Sequence, residues 1–294
     1  MKKKIKFKNG DEYFGQQKKG LPHGIGNYRW SDGNEYKGYW KNNKMHGKGT
    51  LYDEEGKHIG IWKNGKSVSG KTIGIDGSVY KGEWSEFNIA NGYGIKKYKD
   101  GAVEEGIFNN SLFNKGVLKL EDGSTQIGEW DNNYNNISIS CYTMFIDKKK
   151  SHECRWYGDF KIDKKKFLVG EGICIETKQS KPSYFAVQIG KFINGSLKGF
   201  GQQINFKNKT FKEPISFNVG KFNNGILSGE GLIFQKPFDT YEKGKFKDGK
   251  IKKVSTHEMT KKIYEEYVKK AKNFLVSKKY SYLTKNLKKY NNYI

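Results

Sequence analysis

Two stretches of this 294-residue chain carry the spacing of a phosphate-binding loop. Gly60-Ile-Trp-Lys-Asn-Gly65-Lys66-Ser67 satisfies the formula, and Gly65-Lys-Ser-Val-Ser-Gly70-Lys71-Thr72 satisfies it again. Such a loop must follow a buried strand and open a helix, so that backbone N–H groups converge on phosphate. Overlapping matches cannot both be loops of that shape, and the residues after Ser67 read as a β-type segment ending at Asp76-Gly77. No nucleotide is expected there. Cys141, His152 and Cys154 carry metal-ligating atoms. The three cysteines, Cys141, Cys154 and Cys174, are spaced by 13 and 20 residues, match no zinc pattern and show no fourth ligand. They are read as reduced thiols, and neither metal nor cofactor is expected. His23 and His46 precede glycines and read as turn or packing residues. No Ser/His/Asp set or carboxylate pair recurs, so no catalytic residue is assigned and no enzyme is expected.

The composition narrows the classes. Lysine and arginine number 55 against 31 acidic residues, a net charge of +24. Hydrophobic residues are 35%, a low figure, whereas aromatics are 15%, too many for a disordered chain. No run of 18 apolar residues is present, and Met1-Lys-Lys-Lys-Ile-Lys-Phe-Lys-Asn-Gly10 lacks the apolar core of a signal peptide. A cytoplasmic location is expected, with the Asn-x-Ser/Thr matches at Asn109, Asn136, Asn194 and Asn208 unglycosylated. Thirty-six glycines and four prolines point to repeated short strands and turns.

Self-similarity supplies those elements. An aromatic-x-Gly-x-aromatic frame, degenerate in places, is centred on Gly15, Gly38, Gly60, Gly82, Gly106, Gly128, Gly158, Gly190, Gly220 and Gly244. The spacings are 23, 22, 22, 24, 22, 30, 32, 30 and 24 residues. A Gly-x-Gly frame follows at Gly24-Ile-Gly26, Gly47-Lys-Gly49, Gly92-Tyr-Gly94, Gly170-Glu-Gly172, Gly199-Phe-Gly201 and Gly229-Glu-Gly231. Asp32-Gly33, Asp76-Gly77, Asp100-Gly101 and Asp122-Gly123 close the early repeats. After Trp130 the Gly-x-Gly is missing.

These residues resemble the MORN repeat (membrane occupation and recognition nexus), and residues 36–56 match its pattern nearly throughout. The resemblance spans about residues 13–250. It implies an all-β fold, an elongated single-layer antiparallel ribbon of about ten hairpins. Relatives of this kind serve in cytoskeletal, ciliary (spoke-like) and membrane-edge assemblies. Some carry a fused methyltransferase or lipid kinase domain, for which the residues after 251 leave no room.

Strand parity gives the same ribbon from the residues. Positions i, i+2 and i+4 share a face, so Tyr36, Gly38 and Trp40 point together. The glycine leaves a slot that a ring from the neighbouring strand is expected to cover. The ladder is assigned to Tyr13, Tyr36, Trp40, Trp62, Tyr80, Trp84, Trp130, Phe160, Phe192, Phe222 and Phe246. Asn-Gly, Asp-Gly and related pairs supply the positive φ of hairpin turns. At ~9.6 Å per hairpin, ten hairpins span roughly 90–100 Å. Wider spacing between Gly128 and Gly220 predicts longer hairpins there. From Ser255 a capping box with Glu258 and a stripe at Met259, Ile263, Tyr267, Ala271 and Phe274 predict a helix. The chain therefore divides into a basic segment at 1–12, the array at 13–251 and a basic amphipathic helical tail at 252–294.

The charge favours acidic partners. Residues after the frame glycines point away from the ladder, and the last three are Lys191, Lys221 and Lys245, flanked by Lys243. With Lys261, Lys262, Lys269 and Lys270 of the tail they are the candidate partner-binding residues. The expected partners are acidic protein surfaces of a larger assembly, or anionic membrane lipids. Nucleic acid is not expected, because the recurrent aromatics are committed to the ladder. The reading is a scaffold, with a peripheral adaptor for anionic phospholipids as its alternative.

Overall fold

The structure is a computed structural model. It describes residues 3–133, 135–145, 152–164, 168–178, 184–206, 214–235, 240–259 and 262. The chain divides into two units, Met1–Glu121 with Trp130–Asn135, and Asp122–Glu129 with Asn136–Ile294. Nearly all described residues are in antiparallel strands or the turns that join them.

The first unit contains β1 (Lys3–Lys6), β2 (Glu12–Lys18), β3 (Leu21–Arg29), β4 (Glu35–Lys41), β5 (Lys44–Asp53) and β6 (Gly56–Lys63). It continues with β7 (Lys66–Gly74), β8 (Val79–Trp84), β9 (Ala90–Lys97), β10 (Val103–Asn109) and β11 (Leu112–Lys119). Each strand pairs with the next in sequence. β1 lies within the segment assigned to a separate basic terminus. It pairs Lys3 with Gly15, so the edge strand begins before residue 13.

Register places the glycines opposite one another. Gly15, Gly26, Gly38, Gly49 and Gly60 form one continuous row across β2 to β6, and Gly70, Gly82, Gly94, Gly106 and Gly116 extend it. A ring lies over the Gly15–Gly26, Gly38–Gly49, Gly60–Gly70 and Gly82–Gly94 pairs, but its source differs from the expectation. The expected ring is one from the neighbouring strand; instead the tyrosine two residues before the frame glycine, on the same strand, covers that glycine and its partner across the pair. A Cβ at Gly26 would meet the Tyr13 ring, and one at Gly49 would lie 2.2 Å from the Tyr36 hydroxyl. The reason is the bulge after each frame glycine. It leaves the carbonyl of the next residue outside the ladder, and the tyrosine three positions back reaches it. Tyr13 Oη donates to Gln16 O at 2.7 Å, Tyr36 Oη to Tyr39 O at 3.3 Å and Tyr80 Oη to Glu83 O at 2.7 Å. His58 stands at the tyrosine position of the third hairpin, and there Trp84 of the next hairpin covers Gly60 and Gly70. Tyr13, Tyr36, Trp40, Trp62, Tyr80, Trp84 and Trp130 are all buried in one cluster.

The turns are of two kinds. Asn64-Gly65 has φ of 54° and 89°, and Asn42-Asn43 has 50° and 62°, as a type I′ turn requires. At Asp32-Gly33 only the glycine has positive φ, and Asp32 Oδ1 accepts the Asn34 N–H at 2.9 Å. The aspartate acts there through its side chain and not through its own φ.

The second unit contains most of β12 (Thr125–Trp130), then β13 (Asn136–Phe145), β14 (His152–Ile162), β15 (Leu168–Lys178), β16 (Tyr184–Ile193) and β17 (Ser196–Phe206). It closes with β18 (Pro214–Asn223), β19 (Ile226–Gln235), β20 (Thr240–Lys247) and β21 (Lys250–Glu258). From β13 on, successive strands pair. β13 to β19 are 10 or 11 residues long, the longer hairpins expected. A second glycine row runs Gly158, Gly172, Gly190, Gly201, Gly220, Gly231, Gly244 and ends at Val254. Here Phe160, Leu197 and Leu227 fill the slots. Phe160, Phe192, Phe222 and Phe246 are buried on this face. The added strand length carries a second cluster on the opposite face, including Ile173, Val187, Ile204, Phe217 and Phe234.

The tail departs from expectation where it begins. Residues 252–258 belong to β21, paired with β20, so Ser255 and Glu258 sit on a strand and form no capping box. Ser255 is directly opposite Lys243, and strand pairing there outweighs the local cap signal. The helical stripe after Met259 lies outside the described residues.

The buried tyrosines give a pH signature. Burial, with Glu83 nearby, pushes the Tyr80 phenol up to about 12 from 10.0, and burial raises Tyr13 and Tyr36 as well. Above pH 10 the unfolded chain therefore holds fewer protons than the folded one. Stability is complete below that pH and falls by about 1.4 kcal/mol per pH unit for each such tyrosine until its folded pKa is passed. Urea titrations between pH 9 and 12 should show this decline, and Tyr80→Phe should flatten it. A pH-independent midpoint would contradict the buried phenols.

Candidate functional site

The ladder face of the first unit is not filled to its rim. A groove of about 680 Å3 is lined by Tyr28, Trp30, Trp40, Met45, Leu51, Trp62 and Phe87, with Asp32, Asp53, Lys44, Lys66 and Glu86 among its polar groups. Apolar walls with a few placed charges suit a binding site. The Trp40 indole N–H is buried without a hydrogen-bond partner, as are those of Trp84 and Trp156 in the ladder.

Phe87 gives the groove its exposed edge. It is 83% exposed, at φ of 62°, in a 3-10 turn over Glu86–Asn88 between β8 and β9. The turn is tied to the preceding hairpin. The buried Ser67 hydroxyl donates to Ser85 O at 2.6 Å and accepts the Asn88 N–H at 2.9 Å. Lys66 forms an ion pair with Glu86. Thus Lys66 and Ser67, the close of the first phosphate-loop formula, hold a hydrophobic residue in place. Around them Gly60 and Gly70 sit in paired strands, and Gly65 is in a two-residue turn. This is strand–turn–strand, so backbone N–H groups do not converge.

The histidines are structural in their contacts. His23 Nδ1 accepts the Asn42 N–H at 3.5 Å, and His46 Nδ1 accepts the Asn64 N–H at 3.3 Å, so each links its hairpin to the turn of the next. His58 lies between Asp53 at 2.9 Å and Thr72 at 3.0 Å. Those atoms could relay a proton, but the ring is 1% exposed and no substrate reaches it.

The lysine row is altered by the intervening strands. Lys191, Lys221, Lys243 and Lys245 are exposed, as is Lys262; Lys261, Lys269 and Lys270 lie outside the described residues. Glu171 is directly opposite Lys191, Phe200 opposite Lys221 and Glu230 opposite Lys245. Lys245 Nζ is 3.8 Å from Glu230 Oε1. Strand parity in the sequence followed only the first strand of each hairpin, and the second strand interleaves its own residues. The result is a row of mixed charge. The same row in the first unit carries exposed apolar residues among polar ones, with Ile25 opposite Tyr39, Tyr93 opposite Ile107 and Ile61 opposite Lys48, whereas Glu83 stands opposite Ser69.

The repeat frames do not single out Phe87. Its signal is one extra residue between Gly82 and Gly92, ten positions against nine from Gly15 to Gly24 and from Gly38 to Gly47. The Asn-Gly pair of a short turn is also missing there.

Ser67→Ala should therefore cost roughly 1–3 kcal/mol, since a buried N–H and carbonyl lose their partner. Lys66→Ala should stay within about 0.5 kcal/mol, because its ion pair is exposed. Urea unfolding measures both. Addition of ATP should leave the melting temperature unchanged, and an ATP shift abolished by Lys66→Ala would contradict this account.

Comparison with known families agrees with the geometry. The MORN repeat model matches residues 13–35, 36–57, 58–79 and 80–103. No curated protein matches the chain. The MORN repeat is a non-catalytic repeat that generally mediates protein or membrane interactions. Each matched segment is one hairpin with a glycine in the shared row and, in three of the four, a tyrosine over it, so residues 13–103 are four MORN repeats.

Proposed function

We propose that the protein is a non-enzymatic scaffold that holds a protein partner in the groove of its first unit, with Phe87 as the anchor. The carrying observation is that exposed ring, fixed by Ser67 at the rim of an apolar groove. An exposed aromatic held in one place binds with little loss of side-chain entropy. The groove's aspartates, glutamate and lysines would set the partner's register. The setting is a cytoplasmic assembly of the cytoskeletal, ciliary or membrane-edge kind. The array at 13–251 supplies the frame in this reading, and the segment at 252–294 adds basic surface. Acidic patches on partners would meet the excess of lysine.

A second reading, a peripheral adaptor for anionic phospholipids, draws on the outer row of Ile25, Tyr39, Ile61, Tyr93 and Ile107 beside lysines. Aliphatic side chains next to cations suit the membrane interface.

One comparison separates the two. Native complexes isolated through the wild-type chain should lose their main partner in Phe87→Ala, with affinity down at least ~30-fold. Stability should change by no more than ~0.5 kcal/mol, as for an exposed side chain. Undiminished capture by folded Phe87→Ala would remove the first reading. Binding of the purified chain to anionic vesicles, weakened by Ile61→Asp and not by Phe87→Ala, would favour the second.

A further inference from the structure

We propose that His152, Cys154, Cys174 and Glu176 form a zinc site on the ladder face of the second unit, joining β14 to β15. The sequence places Cys141, His152 and Cys154 near one another and shows no fourth ligand. The side chain of Cys141 is outside what the structure describes. Strand pairing supplies the others from a different segment. His152 and Cys154 are two residues apart on β14, and Cys174 and Glu176 are two apart on β15, so each pair shares a face. Cys154 is directly opposite Glu176, and Cys174 is one step along, opposite Trp156. Parity puts all four on the same side of the sheet.

The ligand atoms are already close. Those of His152, Cys154 and Glu176 lie within 4.8 Å of one another. His152 Nε2 is 2.8 Å from Glu176 Oε1, and Cys154 and Cys174 are buried in the same cluster. Tetrahedral zinc holds its ligand atoms ~3.5 Å apart, a spacing near that of His152, Cys154 and Glu176, and Cys174 is the next residue on the same face of β15. Both cysteines are free and buried, and His152 and Glu176 are half-buried, which leaves an approach from the histidine side. Gln188 Nε2 donates to Glu176 Oε2 at 3.4 Å and orients the carboxylate from β16, as an outer partner should.

The donor set selects the ion. Two thiolates exclude calcium and magnesium, which take oxygen ligands. An imidazole and a carboxylate beside them suit zinc better than an all-sulfur copper site. Four protein ligands close the coordination sphere, so the ion would be structural and not catalytic. Binding displaces protons from the thiols and the metal takes their place. The alternative is a His152–Glu176 ion pair above two packed thiols, with no ion.

The test uses the whole chain, purified reduced and without chelator. Elemental analysis should find one zinc per chain. Cobalt added to the stripped protein should give a sulfur-to-cobalt charge-transfer band and the visible bands of a tetrahedral site. Cys154→Ser and Cys174→Ser should each abolish the charge-transfer signal or reduce it sharply. His152→Gln, a polar replacement at a half-buried position, should keep the circular dichroism of the parent and weaken cobalt at least ~10-fold. A folded, reduced parent without a charge-transfer band would overturn the proposal. So would an undiminished band in folded Cys154→Ser. If the cysteine variants fail to fold, unchanged cobalt affinity in His152→Gln overturns it.

Discussion

The fold rests on one contact: a side chain laid flat over a pair of glycines on adjacent strands. The glycines face each other in register, and no Cβ fits between the covering group and the backbone. Each strand is shared by two pairs, so the contact propagates from hairpin to hairpin. A chain that is only 35% hydrophobic gains its core this way, by bringing rings against backbone. The tyrosine hydroxyl adds a second function. It satisfies the carbonyl that the bulge removes from the ladder, so one residue fills the slot and completes the hydrogen bonding.

From this constraint the functional surfaces follow. Because the ladder fixes which residues face inward, the residues after the glycines must face outward, and they differ between units. In the first unit they include the exposed Ile25, Tyr39, Ile61, Tyr93 and Ile107, and in the second Lys191 and Lys245 stand opposite Glu171 and Glu230. The turns are where the repeat is free to vary. At Phe87 one added residue converts a tight turn into a displayed aromatic, held by Ser67 of the preceding hairpin. The cluster of His152, Cys154, Cys174 and Glu176 uses the same freedom in a different place, the added strand length of the second unit.

The glycine spacing made the hairpins legible before any coordinates, because a row of glycines in register requires a fixed number of residues per hairpin. The ladder residues followed from parity: Tyr36, Trp40 and Phe192 are buried as that argument places them. Parity alone could not place anything contributed by the partner strand. Glu171 and Glu230 therefore entered the lysine row unseen, and Glu176 entered the cysteine cluster unseen. The ring over the frame glycine was assigned to the neighbouring strand and comes from the same one, because the bulge that brings Tyr13 to Gln16 O has no mark in the sequence beyond the frame itself. The cap signal at Ser255 was local, and pairing with β20 overrode it.

The most direct test of the central contact is a double-mutant cycle on Gly49 and Tyr36. Gly49 is extended, with no positive φ, and the three atoms nearest an added Cβ all belong to the Tyr36 ring. Unfolding free energies of Gly49→Ala, Tyr36→Ala and the double variant give the coupling. If the ring over the glycine pair is what holds the hairpins, the alanine methyl should be far less costly once the ring is gone, with a coupling above ~1 kcal/mol. Costs that add to within ~0.5 kcal/mol would mean that the ring and the glycine act independently, and the account would fail.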